Sequence, residues 1–476
     1  MTHYKIINQT KMENKNRVFS KVFNNGTMIE TVYNTVEEET LLAIYKDGQY
    51  RLDEKFTDEK GTEYYPIQSS NDLLKKGFVK LASGVSEISG NRALYQQVRD
   101  YIAQYMNIPD DFLAVSAVYV LMSWVYEKFN TLAYLRVIGN FGTGKSRYLK
   151  TLGRLTYKSM NASGVINTAG IFRTTDFVRG TLIMDEADWH HSDMSSQNVK
   201  TLNAGHGKDS PAIRMKTSKL DGSMTTEALV VFGPKILASR QRFQDEALES
   251  RCLTQFLLPI KKVSRAIDFP PESEMKAEEL RNKLLAFRFA NYHKTSANED
   301  SLKNISFPRL QQSALALTTV ASNIGDDVHT EVIGFLQRYE KSLQDNQTHD
   351  IKFDILVCIT DLLKDYAKEN IRKMYMRNIS DQFDKNNYED YTDIKSKTND
   401  NYNHSVIRYK AGTISPHKVG FQVRALGINV QRDSEGYHIS LPDEIQKIIS
   451  IAERYGIEVD DEKDLNQQRL EETENN

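Results

Sequence analysis

The sequence predicts an α/β architecture: a parallel sheet between helices, followed by a helical lid, preceded by a small antiparallel β-rich domain and ended by a winged-helix domain. Three patterns carry this. A short apolar run at residues 132–138 leads directly into a glycine-rich loop and then a helix. From there to about residue 258, strand-like apolar runs alternate with helical stretches, as a sheet covered on both faces requires. Towards the C-terminus, a helix with clear start and stop signals precedes two short strands joined by Asp433-Ser434-Glu435-Gly436.

At 476 residues the chain is too long for one core. Its 39% hydrophobic and 26% charged residues describe a water-soluble globular protein. The longest apolar run, residues 112–125, falls short of the roughly 18 to 20 residues of a membrane span. It reads as a buried helix, and no membrane partner is expected. Nothing in Met1-Thr2-His3-Tyr4-Lys5 marks export, so a cytoplasmic location is expected. Cys252 and Cys358 are too few for a disulfide framework or a zinc ribbon. A net charge of -2 makes no global case for nucleic acid, but the acidic segment after residue 457 hides a mildly basic body.

Element by element, residues 1–92 read as hairpins, with Asn25-Gly26 and Lys46-Asp47-Gly48 as turns. Residues 93–345 hold a helical lead-in, with Tyr95, Val98, Tyr101 and Ile102 on one face, then the sheet and the lid. Residues 346–455 form the winged-helix-like part, and residues 456–476 an acidic, disordered tail.

The chemistry begins at Gly139-Asn140-Phe141-Gly142-Thr143-Gly144-Lys145-Ser146, a full match to GxxxxGK[ST] between a strand and a helix. Glycines let backbone N–H groups curl around phosphates, the helix N-terminus favours negative charge, Lys145 reaches the outer phosphates and Ser146 ligates magnesium. ATP and Mg²⁺ are the cofactors this implies. Residues 181–184 form an apolar strand ending in Asp185 and Glu186, which would hold the metal and polarise the attacking water. Asp185-Glu186-Ala187-Asp188 also spells the signature of another helicase superfamily, which would need a second RecA-like core that the downstream sequence lacks. His190 and His191 are adjacent on a loop and read as solvated surface rather than metal ligands.

Further on, residues 212–216, the turn Lys219-Leu220-Asp221-Gly222 and the apolar runs 228–232 and 236–238 read as a β-hairpin leading into a core strand. Glu246-Ala247-Leu248-Glu249-Ser250-Arg251 then hands over to a last strand, 252–258. With these motifs in place, residues 95–321 resemble the AAA+ ATPases, and among them the minichromosome-maintenance-like replicative helicases, including shorter relatives of bacterial mobile elements. That resemblance makes Arg251 an arginine finger for a neighbour's γ-phosphate and Arg309 a second arginine sensor, with Arg288 as its rival. It makes the hairpin a pore element whose Lys216 and Lys219 follow DNA phosphates. The family's first sensor is a polar Asn; here Ser239 and Arg240 stand at that place, and either could serve. A hexameric ring on single-stranded or forked DNA is the assembly implied.

Ser415 as cap, Pro416 at the first helical position and Gly427 past the end bound the terminal helix. Lys418, Arg424 and Arg432 would contact DNA, with His417 and Gln422 on the same helix. Two function classes stay open: a DNA helicase or translocase motor replicating a mobile genetic element, and a non-motor switch (a loader, transcriptional regulator or defence ATPase) that docks a partner through its winged helix.

Overall fold

A computed structural model describes residues 16–162, 168–185, 199–200, 202–217, 224–243, 245–258, 268–348, 351–369, 371–385, 414–455 and 457. Met1–Glu340 and Lys341–Asn476 form two compact units.

The first unit opens with an antiparallel meander: β1 (Ser20–Val22), β2 (Met28–Asn34), β3 (Glu39–Lys46) and β4 (Gln49–Asp53). Its turns use left-handed backbone, with φ of 85° at Gly26, 51° at Asp47 and 82° at Gly48. Not every pair is antiparallel. Arg17 and Val18 run parallel to Tyr65 and Pro66, a pairing that needs a long crossover, which the whole meander supplies.

After β5 (Val79–Lys80) come α1 (Asn91–Tyr105) and α2 (Asp110–Ser123). Helix α1 buries Leu94, Tyr95, Val98, Tyr101, Ile102 and Tyr105 on its expected face. Helix α2 is apolar all round and buried from Phe112 to Ser123, which is the fate of a helix packed on several sides. No helix among the described residues is long and apolar enough to cross a membrane.

Strands β6 (Tyr134–Ile138), β7 (Ser159–Asn161), β8 (Leu182–Met184), β11 (Lys235–Ser239) and β12 (Cys252–Phe256) build the central sheet with helices α3 (Lys145–Gly153) and α4 (Thr168–Val178). Its order is β12-β6-β11-β8-β7-β5; all neighbours are parallel except β5, which closes the edge antiparallel to β7. Between β8 and β11 in sequence, β9 (Ala212–Thr217) and β10 (Met224–Leu229) form a separate hairpin. Strand β10 begins earlier than its apolar run because Met224, Thr225, Thr226 and Ala228 are exposed, so no burial pattern marks them. Helices α5 (Glu272–Asn291), α6 (Pro308–Ile324) and α7 (Asp326–Thr348) as far as Glu340 complete the unit, and α6 packs on α2.

Arg288 of α5 is fully buried and bonds Glu30 of β2 at 2.6 Å, Glu127 at 2.8 and 2.9 Å, and the Trp124 carbonyl at 2.6 Å. The rings of Tyr157 and Tyr292 lie 4.4 and 4.8 Å from its guanidinium. Such saturation ends its candidacy as a sensor: Arg288 is a core charge that ties the N-terminal meander to the helices. Met28, Val32 and Ala43 of the meander share the main apolar cluster with α1, α2, α5 and α6.

In the second unit, α8 (Ile351–Lys368), α9 (Pro416–Ala425) and α10 (Leu441–Arg454) surround one apolar cluster with Met374, Ile428 and Ile439. Strands β13 (Lys373–Tyr375), β14 (Gln431–Arg432) and β15 (Tyr437–Ser440) form an antiparallel sheet in the order β13-β15-β14. Strand β13 has no counterpart in the sequence reading, since three residues carry no periodicity. Helix α9 has the expected ends: the Ser415 hydroxyl accepts from the Lys418 N–H, and Gly427 has φ 88°.

Candidate functional site

Strand β6 is buried along its whole length and releases the chain at Gly139. A Cβ at Gly139 would collide with the Thr143 side chain and stand 2.9 Å from the Leu257 carbonyl, so only glycine lets the loop leave the sheet there. Gly142 and Gly144 have φ of 78° and 91°, and Gly144 caps α3. Thr143 donates to the Asn140 carbonyl at 2.9 Å, fixing the curl. Inside it the Lys145 ammonium lies 2.7 Å from the Gly139 carbonyl and 3.0 Å from that of Asn140. Phe141, at the loop's outer turn, is 95% exposed.

Two strands away, β8 ends at Met184, and Asp185 follows. Its carboxylate accepts from the Ser146 hydroxyl at 2.6 Å. The loop–helix junction and the strand-end acid therefore meet at one point. Strand β11 separates β6 from β8, and Ser239 at its end is level with Ile138. The Ser239 carbonyl takes the Gly139 N–H at 3.3 Å, while its buried hydroxyl donates to Gln241 at 2.8 Å. Arg240 is exposed beside it. Glu186 lies outside the described residues, as do His190, His191 and Lys219.

The donor chemistry suits the cofactors the motif implies. A loop curled by left-handed backbone at Gly142 and Gly144 and running into a helix N-terminus suits a phosphate held by backbone N–H groups. The Ser146 hydroxyl and Asp185 carboxylate are hard oxygen donors, and magnesium takes only one or two of these from protein, completing its shell with phosphate and water.

Arg251 stands at the other end of the sheet. It precedes Cys252, which pairs with Tyr134 at the start of β6, whereas Phe256 pairs with Ile138 beside the loop. Its guanidinium donates to the Asn203 side chain, which in turn donates to Asp245 at 3.1 Å. Burial, and next the charge of Arg309, lower the Arg251 pKa. Arg309, at the start of α6, bonds the Ser250 hydroxyl at 3.4 Å and Gln312 at 3.0 Å. Those two arginines, taken separately from sequence, thus share one edge.

Beneath this edge lie charged groups the sequence reading did not select. Arg136, fully buried inside β6, grips Glu249 with two bonds of 2.6 and 2.5 Å and bonds Thr254 at 2.8 and 3.0 Å. Glu249 also accepts the Phe243 N–H at 2.9 Å, so the one-turn helix Glu246–Glu249 just before Arg251 is anchored to the central strand. A lone arginine within an apolar strand was the signal. Lys235 is buried and donates to the carbonyls of Gly205, Val231 and Gly233, each at 3.0 Å. Burial pushes His206 down to about 4, and its Nδ1 donates to the Leu132 carbonyl at 2.6 Å.

Within the hairpin, β9 and β10 pair from Ala212–Leu229 to Thr217–Met224, placing the Lys216 backbone opposite Thr225. The side chain of Lys216 lies outside the described residues. Leu229 and Ala212 root the hairpin on Phe172 of α4, and Asp176 takes the Val230 N–H at 2.9 Å. In the second unit, Lys418 and Arg424 are exposed on α9 and Arg432 on β14.

No family model matches the chain, and no curated protein sequence does. Among solved structures it is similar to the NrS-1 C-terminal region in its A-form apo structure, at 13% identity and TM-score 0.34, over 86% of this chain and 96% of that one. A shorter piece of the same region, residues 305–718, is 14% identical with TM-score 0.29, over 65% and 91%. A JCV helicase bound to an acetamide compound is 12% identical with TM-score 0.24, over 52% of this chain and 61% of that one. Likeness this distant says nothing about chemistry.

Proposed function

We propose that the chain is an AAA+ ATPase similar to the minichromosome-maintenance-like helicases: an ATP-hydrolysing motor that translocates on or unwinds DNA as a homo-hexameric ring, in the replication of a mobile genetic element. The observation that carries this is the 2.6 Å bond from Ser146 to Asp185, which brings loop, helix start and acidic strand end together. Bound magnesium supplies charge neutralisation across the outer phosphates. The chain's own groups do the rest: residues 139–146 hold the phosphates, Lys145 moves from its carbonyls to a phosphate oxygen, Asp185 and Ser146 hold the metal, and Glu186 orients water. Ser239, level with the loop, or its neighbour Arg240 senses the γ-phosphate.

Five residue steps, from Arg251 to Phe256, put about 16 Å between Arg251 and the loop end of its own sheet. Its guanidinium acts on the site of a neighbouring copy, and Arg309 beside it acts with it. A cation arriving from another chain completes the site only on assembly. The winged-helix reading of the second unit and the pore reading of the hairpin supply the DNA contacts.

Purified protein is expected to show ATPase stimulated by DNA and strand displacement on a forked duplex, both lost in Lys145→Ala. Hydrolysis by Lys145→Ala and Arg251→Ala subunits, each inactive alone, is expected to return when they are mixed. ATPase indifferent to every nucleic acid would refute the motor.

A further inference from the structure

One surface of the second unit alternates cations and rings in a way that basic residues alone do not explain. On α9, Lys418, Phe421 and Arg424 succeed one another at three-residue intervals, which places them as neighbours along one helical row. Phe421 is 66% exposed and Tyr437 45%. The row continues off the helix: the Arg424 guanidinium lies 5.2 Å from the Tyr437 ring, and Arg432, the cross-strand partner of Tyr437, lies 5.4 Å from the same ring. Read across the surface, the order is Lys418, Phe421, Arg424, Tyr437, Arg432.

Charge on the surface is one-sided. No acidic residue occurs in α9. The two carboxylates of the β14–β15 turn are engaged from strand β13 and its neighbour: Asp433 by Lys373 at 2.8 Å and the Tyr375 hydroxyl at 3.0 Å, Glu435 by Arg377 at 3.7 Å. Among the described residues, Lys418, Arg424 and Arg432 have no carboxylate in ion-pair range. Exposed rings flanked by cations suit a polyanion whose bases are free to stack, because every base offers a π-face and every linkage a phosphate. A duplex keeps its bases stacked inside and offers Phe421 no more than a thymine methyl in the groove.

We propose that this surface binds single-stranded DNA, with bases stacked on Phe421 and Tyr437 and phosphates paired with Lys418, Arg424 and Arg432. It rests on the DNA-motor reading only for the identity of the polymer and deepens it, since it gives the second unit a grip on an unwound strand rather than on the groove of a duplex.

The test is fluorescence anisotropy of the full chain with a labelled oligothymidylate, without nucleotide or magnesium, across a salt series. Wild type is expected to prefer the single strand to a duplex of equal length. Phe421→Ala is expected to weaken it about tenfold with an unchanged salt slope, and Phe421→Trp to restore it. Arg424→Ala is expected to lower the salt slope by about one, as the loss of a phosphate contact does. An oligonucleotide carrying 5-iodouracil is expected to photocross-link to Phe421 or Tyr437. Unchanged affinity in Phe421→Ala, or cross-links confined to the first unit, would overturn the proposal. Lys145→Ala separates the two readings: oligothymidylate binding that survives in it while no ATPase is found in wild type leaves this surface standing and removes the motor.

Discussion

Replacing Lys235 with methionine should change how the stability of the first unit depends on pH. Among the described residues its ammonium has no carboxylate beside it; three backbone carbonyls at 3.0 Å accept from it, and the Tyr134 ring lies 4.8 Å away. Burial pushes its pKa down from the ordinary 10.5 to about 7. Because the folded pKa lies below the unfolded one, the unfolded chain binds more protons between those values. Stability from this group is therefore complete above pH 10.5 and is lost as pH falls towards 7. A gap of about 3.5 units at roughly 1.4 kcal/mol each gives about 5 kcal/mol over the whole window, and about 2 to 3 kcal/mol between pH 7.5 and 9.5. Lys235→Met has no such term, although it strands three carbonyls at about 1 to 3 kcal/mol each. Urea unfolding followed by tryptophan fluorescence measures the difference, because Trp124 is buried in the first unit. Wild type should gain on the variant by about 2 to 3 kcal/mol from pH 7.5 to 9.5. Parallel pH dependences would refute the reasoning.

Two other substitutions probe the site's scaffold. Gly139→Ala puts a methyl against Thr143 and the Leu257 carbonyl, so nucleotide affinity measured by calorimetry should fall at least tenfold, and urea unfolding should show a loss of about 1 to 3 kcal/mol. Glu249→Gln leaves the Arg136 guanidinium buried without its counter-charge, and urea unfolding should show a loss of about 3 to 5 kcal/mol.

The glycine-rich loop was legible because fixed residue types at fixed spacing specify its curl, and residues 139–144 do run from the end of β6 to the start of α3. The buried helix α2 was legible because its residues are apolar on nearly every side. What stayed hidden was set by the fold rather than by local pattern. Strands β5 and β13 are too short to show a period, and β10 is exposed, so its first residues carry no apolar mark. Phe421 and Tyr437 are ordinary aromatic residues until α9 and β15 place them beside Arg424. Arg288 looked available in sequence, yet Glu30, 258 positions away, occupies it.

That same pair sets a limit on how this protein can be altered. Glu30 sits in the N-terminal meander while its arginine sits deep among the helices, so cutting away the first sixty residues would bare a charge with one counter-ion missing and peel Met28, Val32 and Ala43 off the shared core. The meander is a wall of the building, and it cannot be exchanged between relatives as a detachable porch.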